Sequence, residues 1–208
     1  MSTRTFLLAG LLAAAIPLVS QAQDAPASSP FYVGAGINLF TNVPFNSSWA
    51  PRLFGPSLLV GRQLTPRLAL QTGVSYHWKT ESYSYSYNFG QTPLVRNISN
   101  RYSYLQVPVL LRYTLASSAN GFYLDGLGGI NVLYAASRYR DSATADIRQS
   151  YTRASITLGP AMRYSFSPRM QFTANALVSA VIGNSYYRFS DRLFLNALVG
   201  VQYSFRQS

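Results

Sequence analysis

The chain has 208 residues, no cysteine, one histidine, and 17 basic against six acidic side chains, for a net charge of +11. Without thiols there can be no disulfide staple, no Cys-ligated metal and no thiol chemistry. The basic residues are arginines scattered singly, Lys79 apart, a pattern that suits an anionic membrane surface better than a nucleic-acid module.

In chain order, "MSTRTFLLAGLLAAAIPLVSQAQDAP" carries Arg4, an uncharged apolar run from Phe6 to Val19, and small residues at Ser20 and Ala22. That is the layout of a cleaved secretory signal peptide, expected over residues 1–22, with a polar linker over 23–30 and one domain over 31–208. No later stretch approaches the roughly 18 apolar residues that a membrane helix needs.

From Phe31 onward the pattern has period two, the signature of strands with two unlike faces. Phe31, Val33, Ala35, Ile37 and Leu39 alternate with Tyr32, Gly34, Gly36 and Asn38, and Phe54, Leu58 and Val60 with Gly55, Ser57, Gly61 and Gln63. In "LALQTGVSYHWKT", Leu68, Leu70, Thr72, Val74, Tyr76 and Trp78 share one face, with Gln71, Ser75, His77 and Lys79 on the other. Five more such segments follow, around residues 104–113, 129–135, 153–166, 171–182 and 193–205, which makes eight strands. Tight turns are expected at 64–68, 116–122 and 166–170, and longer polar loops near 41–51, 81–101, 138–151 and 184–192.

Short turns at one end, long loops at the other and an even strand count predict an all-β fold: an eight-stranded antiparallel transmembrane β-barrel in the outer membrane, monomeric, with its N-terminus periplasmic. A soluble sandwich or lipocalin-like barrel is the competing architecture. Against it, the face crowded with Gly, Ser, Asn, Gln and Arg would make a poor soluble core. The apolar face also ends in two aromatic belts: Tyr113, Phe122, Tyr164, Phe166, Phe172, Tyr203 and Phe205 near the short turns, Tyr76, Trp78 and Tyr134 near the long loops.

"YLQVPVLLRY" (104–113) places Leu105, Val107, Val109, Leu111 and Tyr113 toward lipid and Tyr104, Gln106, Pro108, Leu110 and Arg112 toward the lumen. Pro108 lacks the N–H that a closed barrel requires, so a local bulge or distorted pairing is expected there. This strand resembles the Tyr-Leu-Glu-Ile-Pro-Leu-Leu-Leu-Lys-Tyr signature of PorT-like outer-membrane β-barrel proteins of Bacteroidota, and here too it follows a Tyr-rich stretch, "SYSYSYNFG". Gln106 stands where that family usually has Glu. The resemblance implies an outer-membrane barrel over residues 31–208; the namesake contributes to protein secretion across the outer membrane.

An eight-stranded barrel is filled by its own side chains, which disfavours a general porin. If the "SSAN" turn sets the register, Arg112 faces Asp125, and Asp125 lies close to Arg163. An interior ladder Arg112–Asp125–Arg163 near the periplasmic end is therefore expected. Ser75, His77, Lys79 and Glu81 form an interior polar row. Ser, His and Glu are the types of a nucleophile, base and orienter, as in lipid A deacylases, but alternate strand positions lie some 6.5–7 Å apart, too far for a Ser–His hydrogen bond. No catalytic site, cofactor or metal site is expected, since a single histidine and six acids show no ligand spacing.

The remaining candidates are in the outer loops. Arg96, Arg101, Arg138, Arg140 and Arg188 can fork onto phosphates and carboxylates of surface glycolipid, and Tyr83, Tyr85 and Tyr87, alternating with Ser, make an adaptable contact surface or equally extend the strands above the membrane. The expected partners are outer-membrane lipid and surface glycolipid, with an envelope protein as the alternative, and no nucleic acid. The expected function is structural or interaction-based; a secretion or assembly component comes second and a lipid-modifying hydrolase third.

Overall fold

In hydrocarbon each backbone N–H and C=O must find a partner within the protein, so a sheet can cross only if its edges meet. A computed structural model of the chain describes residues 31–43, 52–89, 92–141, 144–183 and 192–205. The expected signal peptide and linker, and the first and fourth loops over 44–51 and 184–191, lie outside the described residues. The strands are β1 (Phe31–Val43), β2 (Leu53–Gln63), β3 (Leu68–Phe89), β4 (Thr92–Ser117), β5 (Phe122–Asp141), β6 (Thr144–Ser165), β7 (Met170–Val181) and β8 (Leu193–Phe205). All neighbours are antiparallel, and the ring closes β1 onto β8 from Phe31↔Phe205 to Val43↔Leu193.

Alternation then decides the two solvents. Ile37, Leu58, Val109, Ile130, Ile156, Leu158 and Val199 point outward and are about half exposed or more, as lipid-facing residues should be. Asn38, Ser57, Gln71, Gln106, Asn131, Thr157, Asn196 and Gln202 are buried in the lumen. Register joins the aromatics of the short-turn end into a band, with Phe31 opposite Phe205, Leu68 opposite Tyr113, and Phe122, Tyr164 and Phe172 in one cross-strand row.

Strand length divides the barrel in two. β1, β2, β7 and β8 have 11 to 13 residues, close to the roughly 9–11 that a tilted strand needs to span. β3 to β6 have 20 to 26 and continue beyond the membrane. The segments expected as loops at 81–101 and 138–151 are therefore mostly paired strand: β3 pairs β4 out to Phe89↔Thr92, and β5 pairs β6 out to Asp141↔Thr144. The period-two alternation of Tyr and Ser in "SYSYSYNFG" is itself a strand pattern, and it prevails over the polar composition that suggested a loop.

Of the two arrangements expected at Pro108, the structure has distorted pairing and no bulge. Pairing of β3 with β4 is interrupted between Thr72↔Val109 and Ser75↔Gln106, yet the register is the same on both sides. Thr72 Oγ1 donates to the Pro108 carbonyl at 2.8 Å, so the proline gap keeps one cross-strand bond through a side chain. Pro160 sits in a matching gap between Leu158↔Val178 and Ala161↔Asn175. The register shift of β4 against β5 lies elsewhere, between Thr114 and Ala116.

Depth gives a direct test. Val109, at mid-height of the lipid face, should tolerate arginine badly: Val109→Arg is expected to cost about 2–4 kcal/mol in reversible unfolding from bilayers, whereas Val95→Arg, on the same strand above the membrane, should cost about 1 kcal/mol or less.

Candidate functional site

The lumen is filled in three layers. At the periplasmic end Asp125, fully buried, receives Arg163 on both oxygens, Nε to Oδ2 at 2.5 Å and Nη2 to Oδ1 at 3.1 Å. Thr114 Oγ1 donates to Asp125 Oδ1 at 2.8 Å and accepts from Arg163 Nη2 at 3.2 Å, and Arg163 Nη1 reaches Gln171 Oε1 at 3.1 Å. A buried carboxylate on a guanidinium fork with its lone pairs occupied is the arrangement in which a desolvated ion pair is best compensated.

Arg112 is held differently. Asp125 faces Thr114 and Arg112 faces Leu127, because the turn centres further along than "SSAN" suggests and the bulge between Thr114 and Ala116 takes back only part of that shift. The expected three-residue ladder is thus corrected to the Asp125–Arg163 pair. Arg112 instead donates across the lumen to Gln63 Oε1 at 3.2 Å and to Gln202 Oε1 at 3.4 Å, and its guanidinium lies 4.5 Å from the Tyr32 ring centre. Tyr32 lies flat against Gly61, where a Cβ would fall 2.0 Å from the ring, and donates to Gln71 Oε1 at 3.2 Å.

In the middle, a cavity of about 40 Å³ is bordered by Asn38, Ser75, Gln106, Asn131, Thr157 and Asn196. That is room for roughly two or three water molecules, not for a permeating solute. Above it an apolar cluster of Phe40, Leu53, Leu133, Val181 and Phe194, with Tyr104 against it, seals the lumen. Phe40 stacks on Phe194 at 5.4 Å and meets Tyr104 at 5.5 Å and His77 at 5.7 Å. The sequence reading missed this seal, since these side chains share their inward faces with many polar ones.

The polar row does not act as a unit. Ser75 Oγ donates to Ser57 at 2.8 Å and accepts from Asn38 at 3.2 Å. His77 is fully buried beside Phe40, and neither ring nitrogen meets a hydrogen-bonding side chain. Lys79 and Glu81 pair with each other at 2.5 Å, both part-exposed above the seal. Among the described residues no group of three metal-ligating side chains occurs.

Beyond the membrane, β3 to β6 form a four-stranded sheet whose two faces differ. The face continuing the lumen side carries Tyr83, Tyr85, Tyr102, Tyr139 and Tyr151, with Arg96 on Asp141 (Nε to Oδ1 at 2.8 Å) and Arg153 at 4.5 Å over Tyr151. The face continuing the lipid side carries Ser82, Ser84, Ser99, Arg101, Arg138, Arg140 and Arg148. There Asp146 accepts from Arg138 Nε at 2.9 Å and from Arg140 Nε at 3.3 Å. The Arg138 bond, foremost, holds the Asp146 carboxyl below the ordinary aspartate range. The backbone of Tyr87 is paired in β3, while its side chain and all of Arg188 lie outside the described residues.

The family model described as "Outer membrane protein beta-barrel domain" matches residues 6–205. Among solved structures, Ail of Yersinia pestis, in complex with the heparin analogue sucrose octasulfate, has a TM-score of 0.55 at 12% identity over 86% of this chain and 99% of that one. A major outer membrane protein of Thermus thermophilus gives 0.55 at 16% identity, covering 86% and 100%, and Neisserial surface protein A gives 0.52 at 12%, covering 86% and 99%. No curated protein matches the sequence.

Two outcomes follow from this geometry. Asp125→Asn strands Arg163 as a buried cation and is expected to cost about 3–5 kcal/mol in denaturant unfolding from lipid, most of it recovered when Arg163→Met is added. The Arg138–Asp146 clasp, whose carboxyl has a depressed pKa, is stable above the ordinary aspartate range and opens as pH falls through the lowered value. Amide exchange in the outer half of β6 should therefore accelerate only in strong acid.

Proposed function

The chain belongs to the outer membrane protein β-barrel domain family of the bacterial outer membrane, and from that premise we propose a non-conducting, non-catalytic envelope protein that acts through what its extracellular sheet touches. One observation carries the reading: the lumen is closed at both ends, by Asp125–Arg163 with Arg112–Tyr32 below and by the Phe40–Phe194 stack above, while four strands continue outward as a two-faced sheet. A filled lumen supports neither a pore nor an open interior site, and among the described residues the accessible functional groups are on the sheet.

Export by a signal peptide over residues 1–22 and a monomeric barrel are part of this reading. Its partner class is outer-leaflet lipid and surface glycolipid, suited by arginines on the sheet face that continues the lipid side. A second reading, a component of a secretion or envelope assembly, is supported by the PorT-like signature strand "YLQVPVLLRY" and by the tyrosine face, whose rigid amphipathic rings suit a protein partner. Lipid hydrolysis is the least supported, because Ser75 is engaged by Ser57 and Asn38 and not by His77.

The test joins function to geometry. Purified protein in planar bilayers should give no discrete conductance steps, and lipid A mass spectra should not change with its presence. Photo-crosslinkers at Tyr85 and Arg101 in native cells should yield glycolipid adducts; a stoichiometric protein adduct at Tyr85 would favour the assembly component. Channel openings, or altered lipid A, would sink the envelope reading.

A further inference from the structure

Register brings together arginines that the sequence keeps far apart. On the outward face of the sheet Arg101 of β4 lies directly opposite Arg138 of β5, and Arg138 directly opposite Arg148 of β6. Directly opposed side chains have Cβ atoms roughly 4.5–5.5 Å apart, and like charges so placed repel. The carboxylate of Asp146 engages Arg138 and Arg140, whereas no carboxylate among the described residues pairs with Arg101 or Arg148, both exposed. A row of three cations across two strand spacings, roughly 10 Å, is therefore short of anions.

Depth fixes where the missing anion is. On the same face, the row below holds Trp78, Ser103, Ala136 and Ser150, and the row below that Tyr76, Leu105, Tyr134 and Thr152, which includes two members of the interfacial aromatic belt. The arginines thus stand one pair-step, about 7 Å along the strands, outward of Trp78, among lipid head groups rather than in hydrocarbon or bulk water. One further step out, Ser99 faces Arg140. There a recess of about 560 Å³ is lined by Ser82, Ser84, Asn97, Ser99, Arg140 and Asp146, among others, which are hydroxyl, amide and charged groups of the kind that hydrogen-bond a polyol.

We propose that Arg101, Arg138 and Arg148 form a binding row for phosphate on a glycolipid of the outer leaflet, with the Ser/Asn recess above receiving the sugar that bears it. Guanidinium forks donate to phosphate oxygens in pairs, and an anion between opposed arginines converts their repulsion into shared attraction. The three arginines of the row lie wholly on the outward face, while Tyr83, Ile98 and Asp141 of the inward face also border the recess. This inference rests on the envelope reading and adds to it a ligand chemistry and a place.

The experiment uses the whole barrel in phosphatidylcholine nanodiscs doped with diphosphoryl lipid A, with retained lipid counted by native mass spectrometry. Arg101→Ser with Arg148→Ser leaves the Arg138–Asp146 clasp intact and should lower retention about tenfold, as should dephosphorylated lipid A in place of the diphosphoryl form. Heat-modifiable migration of the variant on gels shows that it is folded, and Asp125→Asn, at the far end of the barrel, should retain lipid A like the parent once folded. Equal retention by a folded double variant, or of the dephosphorylated lipid, overturns the proposal. So does phosphatidylglycerol retained as well as lipid A, which means diffuse charge, or competition by millimolar inorganic phosphate to the same extent as by lipid A, which means a free-anion site. A conducting barrel would sink the envelope reading while leaving phosphate capture standing, so the two failures are distinguishable.

Discussion

Everything in this molecule follows from the closure of β1 onto β8. A sheet edge left open in hydrocarbon would expose a row of unpaired backbone groups, each costing several kcal/mol, and no side-chain arrangement could offset that. Closure over thirteen consecutive pairs, Phe31↔Phe205 to Val43↔Leu193, removes the edge. At the middle of that seam Gly36 faces Gly200, where a Cβ on either would approach the backbone opposite within 2.5 Å, so the strands meet where side chains would hold them apart. Once the ring is closed, alternation has no freedom left: each residue faces lipid or lumen.

The lumen is then a packing problem with charges in it. Eight strands enclose a volume that side chains fill, and Arg112, Asp125 and Arg163 must be satisfied from across it. Asp125 and Arg163 satisfy each other, while Arg112 draws on two glutamine carbonyls and a tyrosine ring from three other strands. These contacts tie β4 to β1, β2 and β8, so the charged layer fixes the barrel's shape as well as closing its periplasmic end. With the Phe40 stack above, the interior is filled by its own side chains, and the described strands that outrun the membrane carry the exposed polar groups.

The sequence made the local rules legible and left the long-range ones hidden. Period two placed Leu105, Val107 and Val109 outward and Gln106, Leu110 and Arg112 inward, and eight alternating segments with short turns at one end gave the strand count and direction. The Arg112 partners were not legible: Gln202 lies 90 residues away in the chain, and contact across a barrel depends on shear and side-chain reach, which no local pattern encodes. Register was misjudged by two residues at the β4–β5 turn because the turn centres on Asn120, further along than "SSAN" suggests, and a bulge at Thr114–Ala116, which leaves no trace in hydropathy, takes back only part of that shift. The arginine row was hidden for the same reason, since Arg101, Arg138 and Arg148 become neighbours only when the pairing of three strands is known.

Amide hydrogen exchange in reconstituted bilayers tests the closure of β1 onto β8 most directly. β1 and β8 are the first and last strands, and in an open sheet they would be its edges. In a closed barrel, amides of residues 32–38 and 198–204 exchange as slowly as those of 105–111 at the same depth in β4. Exchange of the β1 and β8 amides orders of magnitude faster than those of β4 would mean an open seam, and would contradict the barrel itself.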